Sequence, residues 1–368
     1  MLLFVGAGAS NPFEIPTMSE FVNILSQKFC LIPLYKDIME SFENTTWDLE
    51  VLMTVLDDLS KSKQDFFNSI SPQTAYFLYN KERKEANQYV NNERFKEKAK
   101  DLLTEIKKII RQICVDAVRK NETKIINAYD IFFKALYEVW NLQEPKPWGN
   151  FSETNMEMNF PSNLRFFTTN YDTCIEIYLN RKQLDFSRGI VNRFGDNVFD
   201  VNSYNDGANK IGVYKLHGSI DLFQKGDQIR QSLPIVSDIT DVKEEFGEES
   251  LRWPIEFGGY RHIIESPYLD LFRLLRDRAR EDQYWIIIGS SLRDRTICSI
   301  LNDVLRLRVI RERPKVVLLD IEPNQIVNRL RDWGYDSLAD TIMPIKTSFG
   351  SDKFSVKFIS SLIPNYHT

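Results

Sequence analysis

Apolar residues along this chain fall into two kinds of run. Short, mainly apolar stretches at Met1 to Val5, Leu164 to Phe167, Ile211 to Lys215, Trp285 to Ile288 and Lys315 to Leu319 predict strands buried on both faces, where no polar side is needed. Longer segments at Thr17 to Phe29, Asp172 to Leu179, Pro267 to Arg280, Thr296 to Leu307 and Pro323 to Trp333 carry their apolar residues at helical spacing. Strand and helix alternate after residue 160, so the pattern predicts an α/β fold with a Rossmann-like parallel sheet and helices on both faces.

From about residue 30 to 160 the strand signal disappears. Leu49, Leu52, Met53, Leu56 and Leu59 form one apolar face behind Thr45 and Thr46, which are suited to capping a helix. Leu102, Ile106, Ile109, Ile113 and Ala117 form a second, and Ile125 to Trp140 reads as a further, separate helix. The expected organisation is therefore a sheet domain made of residues 1–29 and 160–368, interrupted by an all-helical insertion at 30–159. Glu144-Pro145-Lys146-Pro147-Trp148 and the polar run to Asn159 read as the return linker, and residues 225–250 as a charged surface excursion.

The chain has 368 residues, long enough for two domains, and 47 basic against 52 acidic side chains leave a net charge of -5. That balance gives no reason to expect nucleic acid as a direct partner. Basic residues between Arg94 and Arg111 are interleaved with acids and read as a solvated helix face. Cys30, Cys114, Cys174 and Cys298 form no C-x-x-C pair, so the expectation is four buried thiols, no zinc and a reducing compartment. No apolar run approaches the roughly 18 residues needed to span a bilayer, which points to a soluble, cytoplasmic protein.

Candidate chemistry gathers where the strands end. Gly6-Ala7-Gly8-Ala9-Ser10 follows the first strand, and Gly6 and Gly8 let the main chain turn tightly and approach a pyrophosphate, with backbone N–H groups of the next helix presented to it. An ordinary glycine turn is the structural alternative. Asn170, in Thr168-Thr169-Asn170-Tyr171-Asp172, stands where a strand becomes a helix; it can cap that helix, or its amide can hold a ribose hydroxyl or a water beside an anomeric carbon. His217, in Leu216-His217-Gly218-Ser219, projects at the sheet edge; a structural histidine is the alternative, and placed with Asn170 and a nucleotide loop it is the best general acid/base candidate, since imidazole titrates near neutral pH. His262 and His367 have no comparable setting. Gly289-Ser290-Ser291-Leu292-Arg293-Asp294 opens another helix and can supply backbone and hydroxyl donors, and Asp320 and Glu322 end a strand where acids can accept from an adenosine ribose; a helix cap and a turn are the structural alternatives.

Taken in order, Gly6-Ala7-Gly8-Ala9-Ser10 with Ile15-Pro16, Thr169-Asn170-Tyr171-Asp172, Leu216-His217-Gly218-Ser219 and Gly289-Ser290-Ser291-Leu292 resemble the successive NAD motifs of the sirtuin family. The resemblance implies that Asn170 and His217 are the catalytic pair and that Asp172 orders the Asn170 loop. It also implies that Gly6, Ala7, Gly8, Ala9, Ser10, Pro16, Thr169, Gly289, Ser290, Ser291, Asp320 and Glu322 line the dinucleotide. Sirtuin deacylases carry a four-cysteine zinc ribbon that helps to form the acyl-lysine cleft, and this chain has none. In that respect it resembles the zinc-free, helix-inserted NAD-hydrolysing effectors of bacterial anti-phage systems, some of which act alone as homo-oligomers and others beside a HerA-type ATPase or a short Argonaute. The activity so implied is NAD glycohydrolysis, with NAD as substrate, in abortive infection. A non-catalytic NAD or ADP-ribose sensor and an NAD-dependent deacylase are the alternatives.

Overall fold

A computed structural model of the chain describes residues 1–42, 49–62, 66, 70–81, 83–143, 164–193, 196–204, 211–225, 228–231, 268–351, 354, 355, 357 and 358. Thr45, Thr46, the 144–159 linker, most of the 225–250 excursion, His262 and His367 lie outside the described residues.

In chain order the strands are β1 (Leu2–Val5), β2 (Arg165–Thr168), β3 (Phe186–Ser187), β4 (Ile190–Arg193), β5 (Asp196–Phe199), β6 (Ile211–Lys215), β7 (Leu222–Lys225), β8 (Gln228–Gln231), β9 (Tyr284–Ile288), β10 (Lys315–Asp320) and β11 (Ile342–Lys346). Seven of them form one sheet in the order β11-β10-β9-β1-β2-β6-β3, with every neighbouring pair parallel. This is the Rossmann-like α/β architecture. β1 lies inside the sheet and is buried at all four positions, as a strand covered on both faces must be. Pro344 lacks a backbone donor, and it sits in β11 at the sheet edge, where such a gap is tolerated.

The sheet belongs to a compact unit comprising Met1–Ile15, Ala117–Ser219 and Leu271–Thr368; the second unit comprises Pro16–Asp116 and Ile220–Asp270. These bounds differ from the expected 1–29, 30–159 and 160–368. The helices are α1 (Met18–Phe29), α2 (Pro33–Ser41), α3 (Leu49–Ser60), α4 (Pro72–Tyr79), α5 (Arg83–Asn91), α6 (Glu93–Gln143), α7 (Cys174–Arg181), α8 (Tyr268–Glu281), α9 (Arg295–Leu307), α10 (Pro323–Asp332) and α11 (Asp336–Thr341). The second unit takes α1 through α5 and the first part of α6. In it α3 buries Leu49, Leu52, Met53, Leu56 and Leu59, the face read from the sequence.

The two long helices expected between residues 102 and 140 are one continuous helix, α6. Arg119 to Thr123 interrupts the apolar pattern but contains neither Gly nor Pro, so nothing stops the backbone hydrogen bonds from running through. From Ala117 onward α6 belongs to the sheet unit because of aromatic packing. Phe133 stacks on Tyr178 of α7 at 4.8 Å and meets Phe166 of β2 at 5.6 Å, while Phe132 packs against Phe349, Phe354 and Phe358. The basic face of α6 is also less solvated than its composition suggests: Lys96 and Arg111 are buried, and burial pushes the Lys107 ammonium down to about 8. Of the four cysteines, Cys114, Cys174 and Cys298 are buried, but Cys30 is exposed, contrary to expectation. Among the described residues no helix is long and apolar enough to cross a membrane.

Register decides what the sheet can do. Val5 pairs with Thr168 on one side and Ile288 on the other, Ile288 with Leu319, and Thr168 with Lys215. Gly6, Thr169, Leu216 and Gly289 therefore leave the sheet at one level along its carboxyl edge, the level of Asp320, the last residue of β10. From β1 the chain proceeds to β2, β3 and β6 on one side before returning to β9, β10 and β11 on the other, so the topology reverses beside β1. Open α/β sheets bind ligands at such a reversal.

Candidate active site

At the reversal the loops after β1 and β9 are pressed together. Gly8 N–H donates to Gly289 O at 2.7 Å, and Gly289 N–H donates to Leu319 O at 2.8 Å. A Cβ on Gly6 would lie 2.5 Å from Ser290 Cα, and one on Gly289 only 2.2 Å from Ala9 N, with φ at +58° as well. Contact between two backbones thus accounts for these glycines. The expected offer of loop amides to a pyrophosphate is narrower than predicted: N–H groups of Gly6, Gly8, Ala9 and Ser10 donate to Ile288 O, Gly289 O, Gly6 O and Ala7 O. Nor does an α-helix follow at once, since Ala7–Ala9 and Asn11–Phe13 are 3-10 turns and α1 begins at Met18. Pro16 stands just ahead of α1 and is the first residue of the second unit.

Asn170 is tied into this loop pair. Its Nδ2 donates to Gly6 O at 3.0 Å and to the Ser10 hydroxyl at 2.9 Å, and its own N–H donates to Thr168 Oγ1 at 3.0 Å. Both amide hydrogens are thereby used, which fixes the orientation of the amide. Among the described residues its Oδ1, a buried acceptor, has no hydrogen-bond partner. Leaving a buried carbonyl oxygen unpaired costs about 1–3 kcal/mol, so the group is poised for a donor that a ligand or water can bring.

His217 leaves β6 at the level at which Asn170 leaves β2, each two residues beyond the Thr168–Lys215 pair. Its ring is buried, 3% exposed, and Nε2 lies 3.0 Å from Asp294 Oδ2. Asp294 is the N-cap of α9, with Oδ1 accepting from Thr296 N–H at 2.7 Å and Ile297 N–H at 3.1 Å. Sequence reasoning treated Asp294 only as the end of a motif. A cap signature ahead of an apolar helix was visible there, but nothing in the sequence joins it to a histidine 77 positions away.

Asp172 is held where the chain enters α7. Its Oδ1 accepts from Cys174 N–H at 3.0 Å, at the first residue of α7, which starts two residues later than predicted with Thr173 as its N-cap, and its carbonyl accepts from Lys215 Nζ. Lys215 also pairs with the fully buried Glu176 at 3.4 Å, and Arg188 pairs with the same carboxylate at 3.2 Å. This buried cluster was not foreseen. Thr169 is half-buried, Ser290 is buried and its hydroxyl accepts from Leu292 N–H, and the exposed Ser291 gives its carbonyl to Arg329. At the end of β10, Asp320 accepts from Glu322 N–H at 2.9 Å, and burial raises its carboxyl above the usual carboxylate range. Among the described residues no group of three His, Cys, Asp or Glu side chains is placed to hold a metal ion.

The Gly loops, Asn170 and the His217–Asp294 pair thus stand together at the carboxyl end of a parallel sheet, at its topological reversal. Residues 164–338 match the SIR2-like domain. This stretch runs from β2 to α11 and contains Asn170, His217, Asp294 and Asp320, while β1 and its Gly loop lie outside it. It covers just under half of the chain and supports a sirtuin-like kinship and chemistry that involves NAD. No curated protein matches the chain.

Proposed function

We propose that this protein is an NAD glycohydrolase, which cleaves the nicotinamide–ribose bond of NAD with water to give nicotinamide, ADP-ribose and a proton. The observation that carries the reading is Asn170 Oδ1, a buried acceptor without a partner among the described residues, held beside the Gly6 and Ser10 loop on the strand end next to that of His217. The pyridinium leaves with the bonding electron pair and becomes neutral nicotinamide, so the ribose carbon gains oxocarbenium character. Such a step needs positioning and electrostatics more than a strong nucleophile. Asn170 Oδ1 accepts from the attacking water or a ribose hydroxyl, and His217 takes the proton as the new C–O bond forms. Asp320 and Glu322 accept from the adenosine ribose.

The absence of a C-x-x-C pair favours hydrolysis over deacylation, because the acyl-lysine cleft of the deacylases uses a zinc ribbon. We further propose a cytoplasmic homo-oligomer that depletes NAD in anti-phage defence, with a HerA-type ATPase as a candidate partner and the helical insertion as the seat of control. Chromatography of NAD incubated with the purified protein tests the reaction. Equal amounts of nicotinamide and ADP-ribose without an acyl acceptor are expected; O-acyl-ADP-ribose formed from an acylated peptide identifies a deacylase, and bound but intact NAD identifies a sensor.

A further inference from the structure

We infer that Lys215 and Ser219 are positioning residues that clamp the Asn170 loop to the turn carrying His217; the inference rests on the proposed NAD cleavage and adds two residues to it. Lys215 ends β6, and Gly218 N–H donates back to Lys215 O at 3.2 Å, so His217 is carried on a closed four-residue turn. On the neighbouring strand the chain has no regular structure between Thr168, the last residue of β2, and Cys174, the first of α7. Asn170, Tyr171, Asp172 and Thr173 are nonetheless buried, and buried carbonyls in such a stretch need donors from elsewhere.

The turn supplies two of them, one from each flank. Lys215 Nζ donates to Asp172 O, and the Ser219 hydroxyl donates to Tyr171 O at 3.3 Å. Two consecutive carbonyls just beyond Asn170 are thus held by side chains that lie in sequence on either side of His217. The main-chain seam between the strands ends with Leu216 N–H donating to Thr168 O at 2.9 Å, and the side chains of Lys215 and Ser219 carry the join on into the loops. Both side chains are buried, and Glu176 pairs with the Lys215 ammonium at 3.4 Å. In the proposed reaction Asn170 holds the water or ribose hydroxyl from which His217 takes a proton, so the two must keep one separation while NAD is bound. The clamp fixes that separation.

Lys215→Met keeps the length of the side chain without its donor, and Ser219→Ala removes only the hydroxyl. We expect kcat for NAD cleavage to fall about 10²-fold in Lys215→Met, the cost of roughly 1 Å of misplacement, and about tenfold in Ser219→Ala. KM stays within about threefold of wild type in both, since the clamp acts through Asn170 and His217 rather than on NAD. Glu176→Gln is the control for stability: it breaks the ion pair but leaves the Lys215 bond to Asp172 O, so it unfolds more easily yet keeps kcat within about threefold of wild type when assayed below its unfolding transition. Nuclear magnetic resonance of asparagine-labelled protein supplies a readout independent of turnover. The Asn170 side-chain amide, held in the wild type by Gly6 O and the Ser10 hydroxyl, shifts and exchanges faster with solvent in Lys215→Met and Ser219→Ala but not in Glu176→Gln. An unmoved amide signal in both clamp variants overturns the inference, as does wild-type kcat in both, or a kcat that falls in all three variants in step with their stability. A wild type that leaves NAD intact defeats the proposed reaction instead, and the amide signal then still decides the clamp.

Discussion

Replacing Gly289 with Ala tests whether contact between the β1 and β9 loops holds the site together. Two costs arise. An alanine at φ +58° occupies the left-handed region, at about 1–2 kcal/mol. Its Cβ would also lie 2.2 Å from Ala9 N and 2.5 Å from Gly8 C, well inside the roughly 3.5 Å at which such atoms rest, and both neighbours are backbone. The loops must part by about 1 Å, which breaks the 2.7 Å bond from Gly8 N–H to Gly289 O and leaves its groups short of a partner, at a further ~1–3 kcal/mol. The sum is about 2–5 kcal/mol. Gly334 is the internal control, with φ +80° but nothing within 4 Å of an added Cβ, so Gly334→Ala bears only the conformational cost. Urea unfolding of both variants beside the wild type should place Gly289→Ala lower in midpoint by the clash alone. Turnover should fall by about 10²-fold only in Gly289→Ala, because a 1 Å displacement moves Gly6 O and Ser10 away from Asn170. Equal midpoints for the two variants would refute the argument.

Other substitutions read other parts of the structure. Glu176→Gln leaves Lys215 and Arg188 buried without their shared carboxylate and should cost about 3–5 kcal/mol in urea unfolding; a cost below about 1 kcal/mol would contradict the buried cluster. Phe133→Ala removes a fully buried ring between β2 and α7 and should cost about 3–5 kcal/mol by the same measurement, whereas a surface role would leave the midpoint unmoved. Burial depresses Lys107 to about 8, so the folded state binds its proton less tightly than the unfolded chain; the penalty is fully present below pH 8 and is relieved as pH rises towards the unfolded value of about 10.4. Lys107→Met should therefore melt higher than wild type at pH 7 and lose that advantage by about pH 10.5; an advantage that persists there would contradict the assignment.

The strands that carry the motifs were legible because a central parallel strand must be apolar on both faces, and β1, β2, β6, β9 and β10 all announce themselves in this way. β3 has only two residues, and β11 contains Pro344, so neither leaves a recognisable run. The continuity of α6 was obscured by a polar stretch that lacks a helix breaker. Its assignment to both compact units was hidden too, because Phe132 and Phe133 take their partners from strands and helices far along the chain. Asn170 and His217 could be named from their positions at strand ends. What each one touches could not: Asn170 depends on Gly6 and Ser10, His217 on Asp294, and Asp172 on Lys215, all brought together by strand order rather than by spacing in sequence. The close approach of the glycines of the β1 and β9 loops to one another was hidden as well, since it joins residues about 280 positions apart.

NAD turnover and NAD binding measured side by side in wild type, Asn170→Ala and His217→Ala test the central claim most directly. The account predicts that wild type releases nicotinamide and ADP-ribose and that both variants lose at least about 10²-fold in kcat while still binding the dinucleotide. Undiminished turnover in either variant, or a wild-type protein that neither binds nor cleaves NAD, would contradict it.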